Sequence, residues 1–477
     1  MSADLDTTRR FGVVMFDDDK EPGVGWACVA GDKNPTRIGG PEDLSTGVIW
    51  WSNISYDFFY KRNDIWRKTW LRHDKYLVVS HKNALNEWDY DPKVVGPDYT
   101  CLILATLFDR VMRMAYGLIR EVDPRITMER AFVGKTLRDD LRIVLPEAEY
   151  PKSEAASIMK TGQAWEEFTA TSVRTVRGSS LIMLRKPRIL YTLEMLQTPV
   201  PHGPFEHYSK SQLRNLSPDR IAYVRDNQQP CMVEVSVERI SPEISPVYGF
   251  GNATDQSKKV ARSWVSHPEF KVLDRIAEID VRSVWMGREY GSLMSELPDP
   301  VREFLADKYN DNSWSAGIVA ETIWRAATLA EEKWKSGPLK PDEDRAQTSW
   351  QGAWIKGADK NSMFFTALEL SKMDYAVTSY GLGWVMCSVP EEAMNALIRD
   401  GLSLGLLPNV IDIPESMADP QIHIQWGGDK RSHSYAHFLV SKKRDLLWNL
   451  DRVPMLKEEK RKAFIANLLA KSKQGLI

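Results

Sequence analysis

The sequence has few cysteines, and they show no pairing pattern. Cys28, Cys101, Cys231 and Cys387 stand singly among 477 residues. Zinc sites use closely spaced cysteine or histidine pairs, and small secreted scaffolds use a much higher cysteine density. The four cysteines are therefore predicted to be buried free thiols. No metal site and no other cofactor is expected.

The sequence also lacks an excess of charge of one sign. Lysine and arginine number 63, and aspartate and glutamate number 65. A global field that draws a protein to nucleic acid or to an anionic membrane needs a clear imbalance. Any polyanion site must therefore be a local patch.

Long hydrophobic runs are missing as well. The N-terminal residues are acidic and have no apolar leader, and the most apolar stretch, Cys101 to Val122, contains Asp109, Arg110, Arg113 and Arg120. A membrane span needs about 20 mostly apolar residues, so this stretch predicts an amphipathic core helix. We expect a cytoplasmic protein with no membrane partner.

No complete catalytic motif is present, and no catalytic residue is predicted. Gly134-Lys135-Thr136 matches only the end of a phosphate-binding loop, because Glu129 stands where the opening glycine belongs. One partial pattern is of interest: Asp17, Asp18 and Asp19 follow an apolar strand and precede a second one. This layout resembles the first hairpin of RNase H-like nucleases, which implies a metal-dependent nuclease as one alternative. Glu278 and Asp280 are arbitrary candidates for its further acids.

The periodicity that is present predicts a multidomain α+β fold. Residues 1–98 are expected to form a β-rich region, and the spacing of apolar residues after Pro97 predicts a mainly helical region over 99–198. Pro199 to Pro204 is predicted to be a linker. A mixed and then helical region is expected over 205–336, and the polar stretch 337–346 marks a boundary. A further domain over 347–430 and a helical extension over 431–477 complete the prediction.

Residues 347–430 are predicted to fold as a ferredoxin-like βαββαβ domain. Strands are expected at 350–356, 375–379, 384–389 and 410–413, and helices at 362–373 and 391–402. Gly381 and Gly383 suit a tight turn between the middle strands.

The middle strands resemble those of the RNA-recognition motif family. The run Tyr380-Gly-Leu-Gly-Trp-Val-Met-Cys387 shares both glycines, Trp384 and Val385 with the family pattern, and departs from it at Tyr380, Leu382 and Cys387. The resemblance implies that Trp354, on the first strand, and Trp384 stand side by side on an open sheet face and stack on bases. Lys356 and Tyr380 complete this candidate face.

The densest basic stretch could contact phosphate groups or an acidic partner. It consists of Arg174, Arg177, Arg185, Lys186 and Arg188.

Two functions from different classes follow, beside the nuclease alternative. The first is a non-enzymatic structural or assembly subunit of a larger complex, with a viral or mobile-element source as a candidate. Seventeen tryptophans would serve its interfaces with other subunits or with itself. The second is a protein that binds RNA or single-stranded DNA.

Overall fold

A computed structural model describes residues 10–20, 22–54, 76–80, 97–126, 137–146, 167–169, 180–240, 261–308, 314–331, 346–408, 410–411, 421–427 and 433–439. The chain divides into two compact units. Unit 1 comprises residues 1–144, 298–323 and 408–462, and unit 2 comprises 145–297, 324–407 and 463–477. Mixed α+β architecture with several sheets and helices is confirmed. Among the described residues, no helix combines the length and apolarity needed to cross a membrane.

Unit 1 contains a five-stranded sheet built mainly from the N-terminal region. Its strands, in the spatial order β3-β2-β1-β4-β5, are β1 (Arg10–Phe16), β2 (Gly25–Val29), β3 (Thr36–Ile38), β4 (Val48–Ser52) and β5 (Tyr76–Ser80). The first three strands pair antiparallel, whereas β4 runs parallel to β1 and β5 parallel to β4. All five residues of β4 are buried, as expected for a central parallel strand.

The long helix α1 (Pro97–Val122) packs on β1 and β2. Leu107, Val111 and Leu118 lie on its buried face, as the apolar spacing predicted. Trp51 stacks on Phe108 with ring centroids 4.1 Å apart. Unit 1 also contains α2 (Leu137–Ile143), α8 (Asp299–Asp307), the start of α9 (Trp314–Ala327), and the strands β17 (Val410–Ile411), β18 (Gln421–Gly427) and β19 (His433–Leu439).

Unit 2 contains a four-stranded antiparallel sheet in the order β10-β9-β11-β8. Its strands are β8 (Val200–Ser209), β9 (Cys231–Ile240), β10 (Ala261–Ser266) and β11 (Ala277–Gly291). Short helices connect them: α4 (Lys210–Leu216), α5 (Arg220–Asp226), α6 (His267–Ile276) and, after β11, α7 (Leu293–Glu296). The short strands β12 (Leu329–Glu331) and β13 (Ala346–Thr348) pair with each other.

A second five-stranded sheet has the order β16-β7-β15-β14-β6. Its members are β6 (Glu167–Thr169), β7 (Ser180–Arg185), β14 (Ala376–Gly381), β15 (Trp384–Val389) and β16 (Leu407–Pro408). Helix α3 (Arg188–Gln197) follows β7, and α11 (Met394–Ser403) follows β15. The predicted β14–β15 hairpin is confirmed, and Gly383 at its turn has φ +73°.

The ferredoxin-like prediction is wrong in its first half. Residues 350–372 form one helix, α10 (Trp350–Lys372), instead of a strand followed by a helix. Ser349 caps it, since its side chain accepts a hydrogen bond from the Gly352 amide. Most of the helix is buried on all sides, between α6 and strands of both sheets of unit 2. A helix that is buried on all sides and carries buried polar residues has no one-sided apolar pattern, so the sequence of its first turns resembles an alternating strand.

Two further predictions differ from the structure. Residues 200–204, predicted as a linker, belong to β8, and prolines fit there because β8 is an edge strand. Residues 433–439, predicted as part of a helical extension, form β19, which pairs with β18. The predicted domain limits stay a prediction. All four cysteines are buried and free, as expected.

Candidate functional site

The basic stretch predicted to face phosphate or a partner is largely internal. Arg185 ends β7, Lys186 follows it, and Arg188 begins α3; all three are buried, with 3 to 7% of their surface exposed. Arg174 and Arg177 lie outside the described residues. The described part of this stretch therefore belongs to the core of unit 2.

The four residues of the predicted base-stacking face are buried as well. Trp354, Lys356, Tyr380 and Trp384 are 2 to 8% exposed. Trp354 lies on α10 and meets Tyr290 edge-on, whereas Trp384 packs with Met183 and Met386 on the second sheet. The rings do not stand side by side on one sheet, because the first predicted strand is a helix. Stacking on a base would require these side chains to be uncovered.

Lys186 instead joins a buried polar network that links three elements. Its Nζ lies 3.0 Å from both carboxylate oxygens of Glu194 on α3, 3.1 Å from Ser362 Oγ on α10, and 3.6 Å from Asp359 Oδ1. Asp359 Oδ2 accepts hydrogen bonds from Tyr191 Oη and from the Gly383 amide, both at 3.0 Å. The Lys186 and Asp359 side chains are 5% and 1% exposed, whereas the Glu194 side chain is 42% exposed, so the network runs from the protein interior to the surface.

Burial dominates the electrostatics of Asp359. Loss of solvation raises its pKa to about 6, although Lys186 and the two hydrogen bonds favour the charged form. No sequence motif marks this carboxylate, because Asp359 lies in a stretch of mixed polar and apolar residues. Its partners come from β7, α3 and the β14–β15 turn, which are distant in sequence.

One residue further along α10, Lys360 forms a second buried pair. Its Nζ lies 3.2 Å from Glu269 Oε1, and burial lowers the pKa of Lys360 to about 8 despite that partner. Glu269 also closes a capping box with Ser266 at the start of α6. A Cβ at Gly357 would lie 2.3 Å from Glu269 Oε2, so glycine permits the close approach of α6 and α10. Both networks hold elements of unit 2 together.

The described residues of unit 1 form an open groove, unlike the buried networks of unit 2. Its volume is about 600 Å³, and it lies between α1, α8 and the start of α9. The lining residues include basic, acidic and apolar side chains: Arg110, Arg113, Met114, Gly117, Leu118, Glu121, Phe304, Lys308 and Ser315. Such a size accommodates one nucleotide-sized group.

Three cations and one carboxylate line the groove. Arg113 donates to Asp109 at 2.8 Å and lies over the Phe11 ring, and Lys308 pairs with Asp307. Arg110 and Arg113 are exposed. Met114, Leu118 and Phe304 supply an apolar floor.

Gly117 is unusual within this groove. It stands in the interior of α1, where glycine costs about 1 kcal/mol relative to alanine, yet an added Cβ would meet nothing within 4 Å. Packing therefore does not account for the glycine. Its absent side chain leaves the helix backbone open to a ligand in the groove.

In the sequence, Arg110 and Arg113 make this stretch of α1 too polar for a membrane span. Leu118 belongs to the apolar spacing that predicts the buried face of α1. Residues 110, 113, 117 and 121 follow the helical period on a side of α1 that adjoins the predicted buried face. The other wall, Phe304 and Lys308, lies nearly two hundred residues away.

The acidic residues of the nuclease alternative have other roles. Asp17 forms an ion pair with Arg37 on β3, and Asp18 accepts a hydrogen bond from the Lys20 amide. Asp280 belongs to the other unit and pairs with basic side chains. Within the described ranges, no three histidine, cysteine, aspartate or glutamate side chains are grouped to hold a metal ion.

Comparison with known proteins gives matches among solved structures alone. No protein-family profile matches the chain, and no curated protein does. One similar structure is "Phi29 DNA Polymerase, orthorhombic crystal form", at 8% identity and TM-score 0.41 over 90% of this chain and 92% of that one. Another is Phi29 DNA polymerase complexed with primer-template DNA and incoming nucleotide substrates, at 10% identity and TM-score 0.37 over 80% of each chain.

The prediction of a non-enzymatic assembly subunit is not upheld: the similar structures named above are those of an enzyme. TM-scores below 0.5 do not establish a shared fold, and no polymerase activity follows for this chain. Structural, virion and assembly roles have no support.

Proposed function

We propose that this chain binds single-stranded nucleic acid in the groove between α1, α8 and the start of α9. One observation carries the proposal: three cations, a partly buried apolar floor with an aromatic ring, and an unpacked helical glycine converge on one groove. Lys and Arg contact phosphates, and aromatic rings stack on unpaired bases. The groove thus offers the two kinds of contact that a nucleic-acid strand requires.

The single-stranded form is favoured by the apolar floor. Phe304 is half-buried on α8, beside Met114 and Leu118. A base must leave its duplex stack before its flat face can reach such a ring. Recognition of this kind depends little on sequence, since every base has a π-face.

A direct test is the fluorescence anisotropy of a short labelled single-stranded oligonucleotide. The triple variant Arg110→Ala/Arg113→Ala/Lys308→Ala should bind more than about tenfold more weakly at low salt. Arg10→Ala is the matched control, because Arg10 is exposed in unit 1, pairs with Asp32 and does not line the groove. Equal binding by wild type and triple variant would reject the proposal.

Phe304→Leu tests base stacking separately. It keeps an apolar side chain on the floor but removes the flat ring. Stacking contributes about 1 to 3 kcal/mol per base, so affinity should fall at least about fivefold. The slope of binding against salt should stay as in wild type, since no charge is lost.

Gly117→Ala tests whether the bound strand lies against the helix backbone, because the substitution affects helix stability and strand binding in different ways. The substitution should stabilise α1 by up to about 1 kcal/mol, because the new Cβ meets nothing within 4 Å. Binding should weaken if the strand lies against the helix backbone. A variant that is more stable and binds as tightly as wild type would show that the strand does not approach Gly117.

A further inference from the structure

A second charged cluster lies in unit 2, apart from the groove residues. Three cations surround the carboxylate of Asp280 on β11. Lys210 Nζ and Arg220 Nη2 each lie 2.6 Å from one of its oxygens, and Arg282 Nε lies 3.5 Å from Oδ2. The four side chains are 18 to 35% exposed, so solvent reaches part of each of them.

The cluster holds more positive charge than Asp280 neutralises. Asp280 supplies one negative charge against three positive ones, which leaves two positive charges within a few ångströms. Burial would raise the pKa of Asp280, but hydrogen bonds from Lys210 and Arg220 lower it below its usual value. The carboxylate is therefore ionised at neutral pH, and the positive balance remains.

Hydrogen-bond donors also outnumber acceptors. Arg220 Nε is buried and has no hydrogen-bond partner among the described residues. Arg282 donates from Nε to Ser236 Oγ at 2.9 Å, and neither of its Nη atoms donates a hydrogen bond within the described part of the chain. An arginine fork matches two oxygens of one phosphate group.

The backbone directs Arg282 towards this cluster. The register of β11 against β9 shifts between Val281 and Ser283, so Arg282 is the extra residue of a β-bulge. Bulges re-aim a side chain and occur often beside functional sites. Asp280 and Ser236 are cross-strand partners, which places both contacts of Arg282 on neighbouring strands.

We propose that Lys210, Arg220 and Arg282 bind the phosphate group of a small phosphorylated molecule beside Asp280. A dianionic phosphate would bring the charges of the cluster to neutrality and would supply acceptors for Arg220 and Arg282. The three cations gather around the single carboxylate of Asp280, and so compact a cluster favours one phosphate group over an extended backbone. This site does not depend on the groove of unit 1.

The test is a calorimetric titration of the full chain with inorganic phosphate at pH 7.5, with sodium chloride at equal ionic strength as the reference. Wild type should bind phosphate and not chloride. Arg282→Gln and, separately, Lys210→Gln should each weaken binding at least tenfold. Arg225→Gln is the matched control, since Arg225 is an exposed arginine of α5 that pairs with Asp226 and Asp274; it should bind as wild type does.

Asp280→Asn should have the opposite effect on phosphate binding to Arg282→Gln and Lys210→Gln. Removal of the negative charge should strengthen phosphate binding severalfold, whereas a site elsewhere would be unaffected. Absence of phosphate binding in wild type, or binding that survives both Arg282→Gln and Lys210→Gln, would overturn the proposal.

Three further ligands test which kind of phosphate-bearing molecule the cluster binds: adenosine monophosphate, adenosine, and an oligonucleotide without terminal phosphates. Adenosine monophosphate should compete with inorganic phosphate, and adenosine should not. Arg282→Gln should leave oligonucleotide binding unchanged. If the variant instead loses the oligonucleotide while wild type ignores phosphate, the cluster is part of a nucleic-acid surface and the proposal is wrong.

Discussion

Two aspartates of unit 2 attract basic side chains in opposite surroundings. Asp359 is sealed inside with Lys186 at 3.6 Å, and its pKa is raised to about 6. Asp280 is partly exposed among three cations, and its pKa is lowered. The two aspartates differ both in burial and in the number of nearby cations, and the direction of each pKa shift follows the balance between the two. The buried pair of Asp359 and Lys186 links secondary-structure elements of unit 2. The partly exposed cluster around Asp280 remains accessible to a ligand.

The largest expected effect on stability is at the buried pair of Asp359 and Lys186. Lys186→Met removes the cation beside Asp359 and Glu194, and a buried carboxylate without its partner costs about 3 to 5 kcal/mol. Urea unfolding at neutral pH measures the loss. Lys372→Met is the control, because the Lys372–Glu369 pair is exposed; its stability should hardly change. Similar stabilities of the two variants would show that the Lys186 network is not a buried ion pair.

The pH dependence of stability should follow Asp359. Its folded pKa, about 6, exceeds the unfolded value near 3.8, so its contribution is full below pH about 4 and is lost as pH rises through about 6. The loss amounts to about 3 kcal/mol at 1.36 kcal/mol per pKa unit. Asp359→Asn should lack this component of the profile. Parallel profiles of wild type and variant would mean that Asp359 keeps an ordinary pKa.

The turn that binds Asp359 offers a smaller effect. Gly383→Ala places a Cβ 2.9 Å from the Tyr191 ring and forces a side chain into positive φ, for a cost of about 2 kcal/mol. Gly47→Ala is the control, since Gly47 has φ +74° and open space around its Cβ; backbone strain alone should cost about 1 kcal/mol. Thermal unfolding compares the two. Equal costs would exclude a packing constraint at Tyr191.

The smallest expected effect on stability is at the partly exposed Asp280. Asp280→Asn breaks partly exposed ion pairs, which contribute less than about 1 kcal/mol, and it also relieves burial of the carboxylate. Stability should therefore change little, as measured by urea unfolding beside Lys186→Met. A loss as large as that of Lys186→Met would mean that Asp280 is a structural anchor of α4 and α5.

The sequence predicted local structure better than the long-range arrangement. The β14–β15 hairpin followed from Gly381 and Gly383, and the buried face of α1 from its spacing. Helix α10 was mistaken for a strand and a helix, because a helix buried on all sides has no polar face to reveal its period. Strand β8 was missed, because its prolines are compatible with a strand at a sheet edge alone.

The candidate sites depend on contacts between segments that are far apart in the sequence. No local sequence pattern reveals such contacts. Phe304 and Lys308 meet the exposed face of α1 only in the folded chain. The same holds for Lys210, Arg220 and Asp280, which come from two helices and a strand. The predicted tryptophan pair had the right residue type for nucleic acid, but burial assigns both rings to the core.

The most direct test of the proposed function is the salt dependence of oligonucleotide binding. For single strands, the slope of log K against log salt concentration is about −0.7 per phosphate contact. Loss of Arg110, Arg113 and Lys308 should therefore make the slope shallower by about 2, while Arg10→Ala leaves it unchanged. A triple variant with the wild-type slope and affinity would show that no strand is bound in the groove of unit 1.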